Sequence, residues 1–362
     1  MDIVQSTRRF EKWLRRRITV VEDDLEYKHA QMRADPFFCF RATFYRWAQL
    51  WPEVCPKLAR GPRVHTVGDL HIENFGTWRD AEGRLVWGVN DFDEAYPMAF
   101  TNDLVRVAVS ALLAARTYPA FKLKPGEIAA QLADGYHCQI ERGGEPFVLM
   151  EHHPKLRKMA VQDLRQPAEF WRRFNAKTVP HEDPLPGSVR KAFRKILPCG
   201  AEPEYRVLTK PKGLGSLGRR RYLALAQWQG GVLVREAKSV VPSACLWAAG
   251  KAAGEGNPWL ETIVRSAVRC ADPYYEIRNG WLVRRLGPDC SRIDIEELVH
   301  HEDIALLLYC MGQETANIHL GTPKARKRIR AAWRELPKDW LDTAAHKMLK
   351  LSLEDWKRYR AS

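Results

Sequence analysis

Two neighbouring segments carry the residue types most suited to chemistry. One reads V-G-D-L-H-I-E-N-F-G over residues 67–76 and the other V-N-D-F-D-E-A over 89–95. Phosphoryl transfer is mainly positioning and charge neutralisation: one carboxylate orients or deprotonates the acceptor hydroxyl, while an Asn and a second carboxylate hold Mg²⁺ against phosphate oxygens. In that chemistry Asp69 is the base, and Asn74, five residues on, is a metal ligand. Asp91, at the end of an apolar run, is the main metal ligand, with Asp93 as a second ligand. The plainer alternative for each Asp is a loop carboxylate capping a turn, a common role beside Gly or Asn. His65 and His71 are metal-ligand candidates too, although a histidine beside a buried loop more often hydrogen-bonds the backbone.

A third segment, G-L-G-S-L-G at 213–218, matches G-x-G-x-x-G, which serves dinucleotide and kinase folds alike. Its flanks discriminate. Y-R-V-L-T-K at 205–210 precedes it, and R-Y-L-A-L-A-Q-W, a Q-G-G turn and V-L-V-R-E-A-K follow, so the order is strand, glycine loop, strand, tight turn, strand. A dinucleotide site needs a helix after the third glycine. A glycine-rich hairpin over nucleotide phosphates fits instead, with Gly213, Gly215, Ser216 and Gly218 offering backbone N–H groups and Lys238 on the next strand reaching the phosphates.

The elements that must position these groups follow from hydrophobic period. Residues 1–60 have helical spacing and many aromatics (Phe37, Phe38, Phe40, Phe44, Tyr45, Trp47, Trp51), which read as core. R-V-H-T-V and L-V-W-G-V within 62–90 are short strands. After Asn102, taken as a helix cap, Leu104, Val107, Ala108, Ala111 and Ala115 share one face of a buried helix, and Pro125 opens another. H-E-D-P-L-P-G at 181–187 marks a boundary. W-L-V-R-R-L at 281–286 is a further strand, and past 300 a helical face returns with Ile304, Leu307, Leu308, Met311 and Ile318. The division is a helical region at 1–60, a helical lobe with the acidic loops at 61–195, a β-rich lobe at 196–290 and returning helices at 291–362.

The 362 residues suffice for two lobes with a cleft between them. A formal charge of +14 favours anionic partners. The basic runs at 8–17 and 324–330 read as solvated helix faces ahead of a nucleic-acid stripe, while Arg219, Arg220 and Arg221 suit phosphates or an acidic acceptor. Eight cysteines lack any C-x-x-C spacing and read as reduced core thiols. Neither a signal peptide nor a membrane-length apolar run is visible, which points to a cytoplasmic protein without a membrane partner.

H-T-V-G-D-L-H-I-E-N-F-G, then V-N-D-F-D-E-A-Y-P and N-D-L-V-R-V-A, resembles the aminoglycoside phosphotransferase-type branch of the protein-kinase-like fold. More closely, the chain resembles the bacterial family catalogued as domain of unknown function 2252, whose G-D-x-H-x-x-N-F, N-D-F-D-E and G-x-G-S-x-G segments are matched in order over about residues 30–320. The resemblance implies an α+β, two-lobed kinase-like fold using ATP and Mg²⁺. Asp69, Asn74 and Asp91 fall on catalytic and metal positions, Asp103 on the aspartate that braces the catalytic loop, and Gly213, Gly215 and Gly218 on the phosphate loop. Alignment on Pro242-Ser243 puts the lysine at Lys238, alignment on E-A puts Arg235 there, and a strand sends the two to opposite faces. The acidic loops precede the glycine loop, which implies a circularly permuted chain. Glu261 is the candidate glutamate partner of the lysine. Two other readings remain at this point: a metal-dependent phosphoesterase, using His71 with the pairs His152-His153 and His300-His301, and a non-catalytic nucleotide- or RNA-binding scaffold.

Overall fold

The computed structural model describes residues 1–118, 121, 123–198, 205–209, 218–293, 295, 298 and 300–362. Gly213, Gly215 and Ser216 lie outside the described residues. The architecture is mixed α+β, with every strand pair antiparallel. The strands are β1 (Arg63–Thr66), β2 (Phe75–Arg79), β3 (Leu85–Val89), β4 (Tyr96–Ala99), β5 (Phe147–Val148), β6 (Val179–Pro180), β7 (Arg206–Thr209), β8 (Arg221–Trp228), β9 (Gly231–Ser239), β10 (Glu276–Arg278) and β11 (Trp281–Leu286). They form a two-stranded sheet β1-β4, a three-stranded sheet β2-β3-β5 and a six-stranded sheet β10-β11-β9-β8-β7-β6.

The period-two runs of the sequence explain the larger sheet. On β8, Tyr222, Ala224 and Ala226 point to one face, where with Ala237 and Val283 they meet Val189, Ala192 and Phe193 of the Gly187–Ile196 helix. Leu223 and Leu225 point to the other face, with Val234, Leu208 and Phe174 of the Pro167–Ala176 helix. Each face is thus covered by a helix at one end of the sheet, and side-chain alternation keeps the register from slipping by one residue.

The remaining helices surround one large core. Thr101–Thr117 runs through its centre, with every residue from Thr101 to Ala114 buried. Asn102 is not the cap of this helix. Phe100 precedes it, and Asn102 lies in the first turn, with Oδ1 accepting from Trp47 Nε1 at 2.9 Å and Nδ2 donating to Asp103 Oδ1 at 3.0 Å. Pro125 does open the Pro125–Arg142 helix, where the Lys124 N–H donates to Glu127 Oε2 at 2.9 Å. That helix packs along His301–Leu320, whose Ile304, Leu307, Leu308, Met311 and Ile318 are buried. Glycines set the approach: a Cβ on Gly135 would lie 2.0 Å from Tyr309 O, and one on Gly312 2.2 Å from Leu132 O. Only Gly lets the two backbones touch there.

The seven described cysteines carry no disulfide, and four of them are buried. No helix among the described residues is long and apolar enough to cross a membrane.

Candidate functional site

The two acidic segments are fastened to each other through their backbones. Gly68 has φ +80, and a Cβ there would fall 2.4 Å from Glu94 O, so the G-D turn can close on the D-E turn only with glycine. Asp103, in the first turn of the central helix, accepts the N–H groups of Val67 at 2.7 Å and Gly68 at 3.1 Å, and His319 Nε2 lies 3.2 Å from the oxygen that takes Val67. The Asn90 N–H donates to Asn74 O at 2.9 Å, which joins the far ends of the loops. Asn74 donates Nδ2 to Asp69 O at 2.8 Å, turning its Oδ1 the other way.

Asp69 points at Arg106, one helical turn beyond Asp103. Arg106 Nε donates to Asp69 Oδ1 at 2.8 Å and Nη2 donates to the same oxygen and to Phe40 O at 3.2 Å. The guanidinium is fully buried and lies 4.2, 4.9 and 5.0 Å from the ring centroids of Phe40, Phe44 and Trp47. Burial raises the Asp69 carboxyl above its ordinary value, and Arg106 offsets only part of that.

Asp91, Asp93 and Glu94 meet cations from the later half of the chain. Lys238 Nζ lies 3.4 Å from Asp91 Oδ2 and also pairs with Asp93. Arg219 bridges Asp93 at 2.9 Å and Glu94 at 3.1 Å. Glu94 also accepts the Ala244 N–H at 2.7 Å, while Ser243 Oγ donates to Glu94 O at 3.2 Å, so the P-S segment after β9 is anchored here. Asn257 Nδ2 holds the loop from below through Asp93 O and Ala95 O, both at 3.0 Å. The Asp93 N–H donates to Asp91 Oδ1 at 3.1 Å.

Strand parity decides which late residues reach this loop. Leu223, Val234, Glu236 and Lys238 share a face, and the register places Lys238 between Arg221 and Leu282, and Glu236 between Leu223 and Arg284. That face is apolar under the Pro167–Ala176 helix and charged at the end facing the acidic loops. Glu236 pairs with Arg221 at 3.1 Å and with Arg284, and Arg284 Nη1 donates to Asn90 O at 3.4 Å. Arg235 takes the opposite face, 4.3 Å from the Tyr274 ring and donating to Ile196 O at 3.3 Å. Lys238, and not Arg235, therefore meets the acidic loop.

Charge neighbours split the carboxylates. Burial would raise Asp91, but Lys238 and Arg284 hold it well below its ordinary value. Glu236 is likewise pulled down, to about 2, by Arg221 and Arg284 against burial. For Glu94 burial wins over Arg219, and its carboxyl is raised to about 7. Asp91 keeps 38 % side-chain exposure, against 14 % for Asp93, which makes it the carboxylate most open to an incoming cation.

Gly218 O accepts the Val21 N–H at 3.0 Å, so the end of the glycine segment rests on the linker between the first two helices. Glu261 is away from Lys238, on an exposed face 2.7 Å from Arg265. Arg219 and Arg221 are occupied by carboxylates of the protein, so an acidic acceptor does not find them free. His71 is buried with Nδ1 lacking a partner, and His65 Nδ1 lies 3.3 Å from Ser266 Oγ, so among the described residues neither Nδ1 makes the backbone bond expected of it. His301 sits 3.5 Å from Glu127, not with His71. Among the described residues no group of three or more His, Cys, Asp or Glu is placed to hold a metal ion. A Mg²⁺ held by one or two carboxylates together with substrate phosphates needs no such group, and Asp91, Asp93 and Asn74 fit that mode.

Sequence reasoning missed Arg106, although a signal was present: an arginine inside L-V-R-V-A-V-S-A-L-L-A-A must be buried, and a buried arginine needs an acid. Glu94, Glu236 and Arg284 left no such trace.

Comparison of the chain with curated proteins and with solved structures gives no match. Residues 17–174, which include both acidic loops and Arg106, match the family described as "Uncharacterized protein conserved in bacteria (DUF2252)".

Proposed function

We propose that the protein is an ATP- and Mg²⁺-dependent phosphotransferase of the kinase-like type, built on a circularly permuted chain and acting on a hydroxyl acceptor. The observation that carries this reading is the meeting of Lys238, from β9, the second strand after the glycine segment, with Asp91 and Asp93 of the early loop. These are the two halves of a phosphate-and-metal site, separated in sequence and joined in space.

The residues divide the work as follows. Lys238 exchanges its aspartate partners for phosphate oxygens. Asp91, Asp93 and Asn74 are the residues that would hold Mg²⁺, which would supply charge neutralisation on the phosphates. Arg106 occupies one oxygen of Asp69 with two N–H groups, leaving Oδ2 to receive the acceptor hydroxyl. The acceptor oxygen forms its bond to the γ-phosphorus, the bond from that phosphorus to the ADP oxygen breaks, and the hydroxyl proton passes to Asp69. A carboxyl raised by burial is a better proton acceptor than an ordinary aspartate.

The test is Mg²⁺-dependent ATP binding in wild type, Lys238→Ala and Asp91→Ala. Each variant is expected to lose at least about tenfold in affinity, roughly 1.4 kcal/mol. Wild-type affinity in both variants would remove the assigned site.

A further inference from the structure

Arg106 has one nitrogen that the protein leaves unanswered. Nε and Nη2 of its guanidinium donate to Asp69 Oδ1, and Nη2 also donates to Phe40 O, whereas Nη1 is buried without a hydrogen-bond partner. The residue is fully buried, so bulk solvent does not serve that nitrogen. A buried donor on a charged group is costly to leave unmade, and native interiors answer such donors with a protein acceptor or an ordered water.

A cavity of about 20 Å³ adjoins this arginine. Arg106 lines it, as do Phe40 and Trp47, whose ring centroids lie 4.2 and 5.0 Å from the guanidinium carbon. The rest of its polar wall is Thr43, Arg46, Ser352 and Asp355. One water needs about 10–15 Å³, so the space admits one and excludes larger solutes. Charge selects the same guest. Arg106 is paired with Asp69, and Arg46 Nε donates to Asp355 Oδ2 at 2.8 Å, so each charged group of the wall already has its counter-ion. The hydroxyls complete the argument: Thr43 Oγ1 donates to Cys39 O at 2.7 Å and Ser352 Oγ to Met348 O at 2.8 Å, which commits both protons and leaves lone pairs that only accept. A guest must therefore accept from Nη1 and donate to hydroxyl oxygens. Water does both.

We infer that the cavity binds one internal water, which accepts from Arg106 Nη1 and donates to Thr43 Oγ1 and Ser352 Oγ. The site joins three parts of the chain: the central helix through Arg106, the junction of the Pro36–Ala42 and Phe44–Val54 helices through Thr43, and the Trp340–Arg360 helix through Ser352. It thereby ties the Trp340–Arg360 helix to the arginine that holds Asp69. Nothing in this inference requires phosphotransferase activity.

Ser352→Val is the decisive variant, because it fills the space with an apolar group while Ser and Val have similar helix propensities. Magnetic relaxation dispersion of solvent water, which counts long-lived internal waters, is expected to show one fewer in Ser352→Val than in wild type, and the Tm is expected to fall by several degrees because Nη1 then faces carbon. A dry cavity predicts the opposite signs: an unchanged water count and a Tm that rises, since filling empty space stabilises a core. Should the valine variant fail to fold, a crystal structure of the wild-type chain decides alone, with water density expected about 2.7–3.2 Å from Arg106 Nη1. An unchanged water count, a higher Tm in Ser352→Val, or a cavity without water density at Nη1 overturns the inference.

Discussion

The Asp69–Arg106 pair and the Lys238–Asp91–Asp93 cluster each join acid to base, but only one of them is open to exchange. Arg106 is fully buried, sandwiched by aromatic rings and bonded to Phe40 O as well as Asp69, so no solvent or ligand can take its place. Lys238 has two interchangeable acids, and Asp91 is more than a third exposed. The sealed pair sets a geometry. On the proposed reading, the open cluster holds charges that phosphate and metal would claim without leaving a buried ion bare.

The largest expected effect separates these two kinds of pairing directly. Arg106→Met leaves the partly buried Asp69 without its partner and is expected to lower unfolding free energy by about 3–5 kcal/mol. Lys238→Ala, with Arg219 still beside Asp93 and Asp91 reaching water, is expected to cost less than about 2 kcal/mol. Urea denaturation of both variants measures the gap, and equal losses would erase the distinction.

Within the open cluster, two glutamates give opposite pH responses. Glu236, depressed to about 2, contributes stability that is present above about 4.5 and is lost as pH falls toward 2. Glu94, raised to about 7, favours the protonated form when folded, so stability is greatest below about 4.5 and declines as pH rises through 7. Each shift corresponds to roughly 3 kcal/mol across its window. Denaturation at stepped pH is expected to show a flattened acid limb in Glu236→Gln and a flattened neutral limb in Glu94→Gln.

The smallest effect marks the edge of the site. Glu261→Gln removes only a solvent-exposed pair one helical turn apart, and is expected to change stability by less than about 0.5 kcal/mol and ATP affinity by less than about twofold. A larger change in nucleotide affinity would place Glu261 back among the partners of Lys238.

Much of the site was legible as residue types. Asp69, Asn74, Asp91, Asp93 and Lys238 stand out from spacing and flanking apolar runs, and the structure gathers the acids on adjoining turns with Lys238 against them. The strands at 206–209, 221–228, 231–239 and 281–286 were legible from period two, since successive side chains alternate between the two faces of a sheet. Asn102 was misread because Asn is favoured at caps, yet its side chain is drawn inward by the Trp47 N–H and the neighbouring Asp103. The early strands gave no sign that they would form two small sheets apart from the large one, because pairing partners are a long-range choice.

Local pattern, then, determined the elements and named the acids, because side-chain alternation and loop chemistry act between residues close in the chain. Which cation meets which acid was decided only by tertiary structure. Lys238 and Asp91 are far apart in sequence, Arg106 is masked by its apolar neighbours, and the choice of Lys238 over Arg235 depends on which face of β9 turns toward the loop. Electrostatic partnership is a matter of a few ångströms, and only the folded backbone sets those distances.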